Sequence, residues 1–569
     1  MTRQIPLDIR DYPFDLIVVG AGINGAGIAR DAAMRGLSVL LLDKGDIADG
    51  TTQWATRLIH GGLRYLEHYE VPLVRESLRD REILFHTAPH LVRPLGFMIP
   101  IYERAKHGPL MVRLGMIAYD VLSFDKSVGN HRMFSPEEAL EREPGLNPEG
   151  LMGAAFYYDG QVEYAERIAV ENAISAREHG ALVLNYAKVE RLIVEDGDVR
   201  GVEFTDFLDG ESYEAHAPVT LNVAGPWVDE VLSGMDGGTQ TRMIGGTKGS
   251  HLVVDPFPGA PKGEALYVEA RKDGRPYFIV PWNGRYLIGT TDIRYEEDLD
   301  YVSADEDEID YLIEETNHVI PEANLSRDAI LFTYSGIRPL PYQPEGAEGG
   351  VTRSHIVYDH AKGRGVGTKR TGIGEGVPRV GGLVSIIGGK LTTYRNLSRQ
   401  TVDMVYEKLD LDPPESRTAR VPLPGGAVGD FDAFAAGFKV TSGLTDELAE
   451  RLLKLYGARA PDVLEMAGED PSLRMPLGVS ATVETGLLGA EVLYAFRREM
   501  AQTLSDVLLR RTLVGLGPRV GLDVDEAAAR VAVKHLGWSE DRARSEVEAY
   551  RRYVERYKPK NFREKALGV

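Results

Sequence analysis

Three glycines and one acid carry the first chemical signal in this chain. Gly20-Ala21-Gly22-Ile23-Asn24-Gly25 has the spacing G-x-G-x-x-G, and Asp43 follows about twenty residues later. The pattern suits a dinucleotide. Gly20 permits a tight turn, Gly22 lets backbone approach a pyrophosphate with no Cβ in the way, and Gly25 lets a helix pack closely on a strand. Free N–H groups at the helix start, around Asn24, and the helix dipole attract phosphate. Asp43 would accept hydrogen bonds from the adenosine ribose. Two later turns repeat the strand–glycine logic. Ala224 and Gly225 in Asn222-Val223-Ala224-Gly225-Pro226-Trp227 form one. The other is Gly388-Gly389-Lys390-Leu391-Thr392-Thr393, with hydroxyl partners at a helix start.

The elements that must hold these residues are legible as apolar runs. Leu16 to Val19 and Val39 to Leu42 are predicted buried strands, with a helix to about Arg35 between them. Further strands are expected at 182–184, 219–223 and 383–387, and helices at 71–88 and 162–179. Residues 45–69 are rich in Gly, Thr, His and Arg and nearly aperiodic; such a segment is costly to order unless it wraps a ligand. The middle of the chain is β-rich. It has a short strand at 251–254 and a hairpin through Asn283-Gly284. Ser303 with Glu306 is a capping box opening a helix to about Val319, with the acidic run 305–308 as a solvated first turn. Leu110, Met111, Leu114, Ile117 and Leu122 could form one apolar face beside Arg104, Lys106 and Arg113: an interfacial helix or an ordinary core helix. Residues 360–378 are expected to be a surface loop, and 412–430 a Pro/Gly-rich linker. Beyond it Leu493, Phe496, Met500, Leu504 and Val507 have helical spacing, as does the charged stretch 541–558.

Composition sets outer limits. The 569 residues are 43% apolar, enough for about three globular domains, and no apolar run approaches the roughly 18 residues of a membrane span. The net charge of −21 argues against nucleic acid as the main partner. With no cysteine, disulfides, iron–sulfur clusters, thiolate catalysis and a sulfur-tethered flavin are excluded. No metal-ligating set is expected. The N-terminus shows no secretory h-region, so the cytoplasm is the default location. A flavin enzyme fed by NAD(P)H usually carries a second nucleotide domain; with a single fingerprint, the expected cofactor is FAD, with electrons passing elsewhere. The fold class expected is α/β: a Rossmann-like FAD-binding domain with an inserted antiparallel β-sheet substrate domain and a C-terminal α-helical domain. The expected division is FAD-binding parts at 1–90, 161–245 and 356–411, a substrate- or membrane-facing segment at 91–160, the substrate domain at 246–355, the linker at 412–430 and the helical domain at 431–569.

Four segments sharpen this. Leu58-Ile59-His60-Gly61-Gly62-Leu63-Arg64-Tyr65-Leu66-Glu67, Gly289-Thr290-Thr291-Asp292, Tyr334-Ser335-Gly336-Ile337-Arg338-Pro339-Leu340 and Ile387-Gly388-Gly389-Lys390-Leu391-Thr392-Thr393-Tyr394-Arg395 closely resemble the FAD-dependent glycerol-3-phosphate dehydrogenases, in that family's order. With the fingerprint and helical tail the resemblance spans nearly the whole chain. It implies oxidation of sn-glycerol 3-phosphate to dihydroxyacetone phosphate, hydride transfer to FAD, a membrane quinone as acceptor, and a peripheral location on the cytoplasmic membrane face. A close relative, glycerol-3-phosphate oxidase, uses oxygen and releases peroxide instead. A symmetric dimer is expected from the family and from base rates. The family's site residues carry over onto Arg64, Tyr65, His251, Arg338, Arg353 and Lys390. Thr51, Thr52 and His60 with Gly61 would face the pyrophosphate and flavin, together with Ala224, Gly225, Gly388, Gly389, Lys390, Leu391 and Thr392. Arg338 and Arg353 are the expected phosphate fork. For the base, His251 has the suitable ordinary pKa, while Lys390 or Arg64 could stabilise the alkoxide. One departure stands out: Gln53-Trp54-Ala55-Thr56-Arg57 replaces the family's Ser/Thr-rich run ending in Lys.

Overall fold

The structure, a computed structural model, describes residues 5–6, 8–67, 69–235, 242–343, 351–366, 377, 379–468, 470–478 and 486–558. Most of the surface loop expected at 360–378 lies outside these residues. Leu16–Val19, Val39–Leu42 and Val219–Asn222 are buried at every position, as befits strands covered on both faces. They form the centre of a seven-stranded sheet in the order 364–366, 356–359, 383–387, 219–222, 16–19, 39–42, 182–184. The five strands from 383–387 to 182–184 run parallel. The helix Ile23–Met34 starts at Gly22 and is covered by the helices Ala165–Glu178 and Tyr394–Lys408. Its Arg30 is buried, donating to Ser175 Oγ at 3.1 Å and to the carbonyls of Val421 and Pro422 at 2.8 and 2.9 Å. The Pro/Gly-rich stretch is thereby strapped to the nucleotide domain.

The second sheet has ten strands, eight along its main path and two branching from it. The strand Val92–Tyr102 pairs along its length with Leu151–Val162 and, on its other side, runs parallel to Ala265–Glu269. Pro276–Trp282 and Arg285–Gly289 follow as a hairpin. Its turn residues Asn283 and Gly284 both have positive φ, +49° and +72°, as a two-residue primed turn requires. Ile244–Val254 comes next and pairs with Ile330–Pro341 over its whole length. Strands from 92–162 and from 244–341 therefore form one continuous sheet. His251 lies within an eleven-residue strand, not the short one expected at 251–254.

Two helical readings need correction. The cap of helix Glu306–Val319 is Asp305 with Glu308, not Ser303 with Glu306. Glu308 is consequently turned inward and only 2% exposed, so the first turn is not wholly solvated. The apolar spacing from Leu493 to Val507 crosses two elements: helix Gly489–Arg498 ends, and a π turn follows at Asp506–Arg511. Helix Pro109–Leu122 buries Met116 and Tyr119 and exposes Leu110, Met111, Leu114, Ile117 and Val121, with Phe124 just beyond. Among the described residues, no helix is long and apolar enough to cross a membrane.

A Cβ on Gly25 would lie 1.8 Å from the carbonyl oxygen of Gly20, so helix and turn meet backbone to backbone. Gly25→Ala must push the helix off the sheet. We expect a loss of about 3 kcal/mol or more in urea unfolding, together with loss of the dinucleotide that the fingerprint is expected to hold. Unchanged stability would mean that the helix shifts freely.

Candidate active site

Parallel strands that end on one edge place their following turns side by side, and this builds the larger cavity. It measures about 850 Å³ and is lined by Gly20, Gly22 and Asn24, by Asp43, Thr51 and Thr52, by Ala224 and Gly225, and by Gly388 to Thr392. Gly20 has φ +107°, and a Cβ there would stand 2.6 Å from Val223 O. The Ile23 N–H donates to Thr52 Oγ1 at 3.0 Å, and Thr51 Oγ1 donates to Ile337 O at 2.6 Å. Asp43 accepts from the N–H groups of Ala21 and Gly45. Burial pushes its carboxyl up to about 6 against these donors. The Oδ1 atom of Asn24 is buried without a hydrogen-bond partner. A long cavity with a helix N-terminus, an acid after the second strand and an unsatisfied amide at the turn fits FAD. Gly25 and Gly61 do not line it. Gly25 packs against the turn, and Gly61 N–H donates to Asp159 Oδ1 at 3.3 Å.

A second cavity of about 190 Å³ adjoins the first. Thr56, His60, Tyr65, Phe278, Arg338 and Arg353 line both. Arg64 lines only the smaller one, and His251 and Lys390 only the larger. Among its lining residues, Arg64, Arg275, Arg338 and Arg353 face two acids, Glu70 and Asp292. Asp292 is the hinge of this arrangement: Arg338 Nη1 lies 3.2 Å from its Oδ1, and Arg353 Nη2 lies 3.0 Å from its Oδ2. Burial opposes its ionisation, but the Arg338 and Arg353 charges outweigh it and hold the carboxyl below its usual range. Arg338 Nη2 also donates to Thr290 Oγ1 and Thr291 O, both at 3.1 Å. The guanidinium groups are thus fixed before any substrate arrives.

Lys390 Nζ sits 4.2 Å from the centre of the Tyr65 ring and donates to Ser77 Oγ at 3.0 Å. Burial lowers it to about 7, despite the nearby Glu76 and Glu70. His251 stacks on Tyr334 with ring centres 4.6 Å apart, its Nε2 3.0 Å from Thr56 Oγ1. Burial first, then the Arg338 and Arg57 charges, push it well below 6.5, so the ring is neutral. Burial likewise lowers His60 to about 4. Arg57, which keeps a positive charge at the divergent loop, lines neither cavity. It forms a buried bidentate pair with Glu166 at 2.9 and 2.8 Å.

Several residues here escaped sequence reasoning. Asp292 was visible only as the end of a motif. Thr56 sat in the divergent loop and carried no signal of its own. Glu308 accepts from Ser250 Oγ at 2.8 Å and Thr291 Oγ1 at 2.5 Å, and pairs with Lys248 at 3.0 Å. It therefore ties the strand that carries His251 to the loop that carries Asp292, although its place in an acidic run suggested a solvent-facing turn.

Comparison with known proteins agrees with this architecture. Residues 15–395 match the FAD dependent oxidoreductase family, and residues 416–543 match the C-terminal domain of alpha-glycerophosphate oxidase. The chain is 45% identical to a glycerol-3-phosphate dehydrogenase of Synechocystis sp., covering 97% of this chain and 98% of the relative. It is 32% identical to the aerobic glycerol-3-phosphate dehydrogenase of Staphylococcus epidermidis, covering 97% and 95%. The crystal structure of the glycerol-3-phosphate dehydrogenase from Bacillus halodurans complexed with FAD superposes with a TM-score of 0.74 at 27% identity, covering 97% of this chain and 96% of that one. A nucleotide cradle of this form, continuous with an arginine-lined pocket and matched over the whole chain, places the protein in the family of FAD-dependent glycerol-3-phosphate dehydrogenases.

Proposed function

We propose that this enzyme oxidises sn-glycerol 3-phosphate to dihydroxyacetone phosphate and passes the electrons to a membrane quinone. The observation that carries the substrate assignment is the pair Arg338 and Arg353, braced on one carboxylate in a cavity that opens into the flavin cavity. A phosphate dianion is recognised by forked, charge-assisted donors, and two fixed forks lower the entropic cost of binding it. Arg64 and Tyr65 close the same pocket from the double-glycine loop. FAD, when bound, accepts the hydride from C2. His251 is held in the neutral form that a base for the C2 hydroxyl proton requires, although the burial and the Arg338 and Arg57 charges that keep it neutral also oppose its protonation. The Lys390 ammonium, close to half charged at neutral pH, stabilises the developing alkoxide.

The acceptor reading rests on helix Pro109–Leu122. Its exposed ridge of Leu110, Met111, Leu114, Ile117 and Val121 carries Arg113 beside it and exposed Arg104 and Lys106 just ahead of it. Apolar residues flanked by cations are the signature of a helix lying in a lipid interface, where a quinone is available. The match of the C-terminal domain to a glycerophosphate oxidase favours a second reading, with oxygen as acceptor.

The deciding experiment is an anaerobic titration with glycerol 3-phosphate followed at the oxidised flavin band. Bleaching is expected, and a soluble quinone should reoxidise the flavin much faster than air does. A flavin that stays oxidised would end the substrate assignment; fast reoxidation by oxygen with peroxide release would favour the oxidase. Arg338→Ala should lower kcat/KM by about tenfold to a few hundredfold with FAD retained, the loss of a charge-assisted contact worth roughly 1.5–3 kcal/mol. An unchanged value removes Arg338 from the phosphate fork. Lys390 loses its charge as pH rises through about 7, so kcat/KM should fall on that side. Lys390→Arg, charged throughout, should shift the fall to higher pH. Persistence of the same limb in that variant would assign it to another group.

A further inference from the structure

The C-terminal helical domain reaches the flavin cavity through a buried set of charges. Residues 46–54 follow Asp43 and carry Thr51 and Thr52 in their last turn. Arg511 forms a fork with Asp46, Nη1 to Oδ2 and Nη2 to Oδ1, both 2.8 Å. Arg510 donates through Nε to Asp46 Oδ2 at 2.7 Å, through Nη1 to Asp49 Oδ1 at 2.9 Å and through Nη2 to Asp506 Oδ1 at 2.8 Å. Tyr553, from the helix Glu540–Val554, donates to Asp49 Oδ1 at 2.9 Å. Gln53 Nε2 donates to the Asp49 carbonyl at 2.6 Å and to Oδ1 at 2.8 Å, closing the loop on itself. Trp54 is flanked by the rings of Tyr334 and Tyr557 at 6.2 and 5.6 Å. Tyr553 and Arg556 themselves line the larger cavity, beside Asp49, Gly50, Thr51 and Thr52.

Asp46, Asp506, Arg510 and Arg511 are all at most 1% exposed. Burying so many charges is a poor way to gain stability, since apolar side chains would glue two domains at lower cost. What a complete ionic set supplies is a unique geometry. Here the geometry it specifies is that of a loop with little regular structure, whose two threonines point to the fingerprint helix and to strand 330–341. The arginines also come from a π turn, a local irregularity that recurs where side chains must be aimed.

We propose that the C-terminal domain is a working part of the flavin site: Arg510, Arg511 and Tyr553 are positioning residues that hold residues 46–54 in the shape that grips FAD, and so set how long the cofactor stays bound. The test uses the full-length protein. FAD dissociation is followed by the return of flavin fluorescence on dilution, and the thermal midpoint of the apoprotein is measured alongside. Tyr553→Phe deletes one hydroxyl without changing packing volume. Arg510→Lys keeps charge but loses the three-way fork. Arg551→Lys serves as the comparison, because Arg551 pairs with Asp525 and Glu526 at 2.7 and 2.9 Å inside the same domain and lines no part of the cavity. Tyr553→Phe should release FAD about tenfold faster, with the apoprotein midpoint close to that of the parent. Arg510→Lys should do so more strongly, and Arg551→Lys should lower the midpoint without a comparable gain in release rate. FAD release within about twofold of the parent in Tyr553→Phe would overturn the proposal. So would release that rises only as apoprotein stability falls, equally in the Arg551 variant. Should Arg510→Lys fail to fold, the Tyr553→Phe result decides alone.

Discussion

At the mouth of the flavin cavity, three chain segments approach one another with almost no side chain between them. The Gly25 Cα faces the Gly20 carbonyl, and Gly20 faces Val223 O. This closeness is possible because strands 16–19, 219–222 and 383–387 are parallel neighbours whose turns all leave from the same sheet edge. Such an edge is where α/β sheets bind ligands, because backbone N–H groups and helix N-termini there point outward unused. The contacts further out are set by this approach. Thr52 can meet the Ile23 N–H, and Asp43 the Ala21 N–H, only because the turn between them is bare.

Charge is organised on the opposite principle. The chain as a whole carries −21, yet the residues lining the smaller cavity include more basic than acidic groups. A surplus of one sign inside a low-dielectric pocket focuses the local potential and can draw in a small anion that the overall field opposes. The cost of keeping guanidinium groups there is reduced by Asp292, which neutralises one charge while orienting two forks. Behind it, Glu308 ties Lys248 and Ser250 of strand Ile244–Val254 to Thr291 in the loop before Asp292, so that strand and loop share one buried anion.

The parallel core was legible because its determinants are local. Four- and five-residue apolar runs and glycines at fixed offsets survive in any context, and Asn283-Gly284 announces its own turn. The extent of the second sheet was not legible. Val92–Tyr102 pairs with residues about sixty positions on and also lies beside Ala265–Glu269, and no neighbouring residue encodes either partner. Glu308 was misread because an acid in a first helical turn looks the same whether it faces water or a buried serine. The exposed ridge of helix Pro109–Leu122 was visible as a periodicity, but its direction was not, since core and interfacial helices share one pattern. At the active site, motif residues such as Arg338 and Lys390 could be named before the fold was known. Asp292, Thr56 and the C-terminal arginines could not be assigned roles, because what they do depends on partners tens to hundreds of residues away.

The placement of strand Leu383–Ile387 bears on how the protein is made. It lies directly against Val219–Asn222, and the turn after it supplies Gly388 to Thr392 to the cradle. A growing chain carries its dinucleotide fingerprint hundreds of residues ahead of this strand, so the fingerprint faces an incomplete sheet until Leu383–Ile387 has left the ribosome. During that interval Val219–Asn222 has an unpaired edge of buried-type residues, the kind of surface that aggregates or recruits a chaperone. The cradle is therefore completed only late in synthesis, when its last strand and the turn after it join segments made long before.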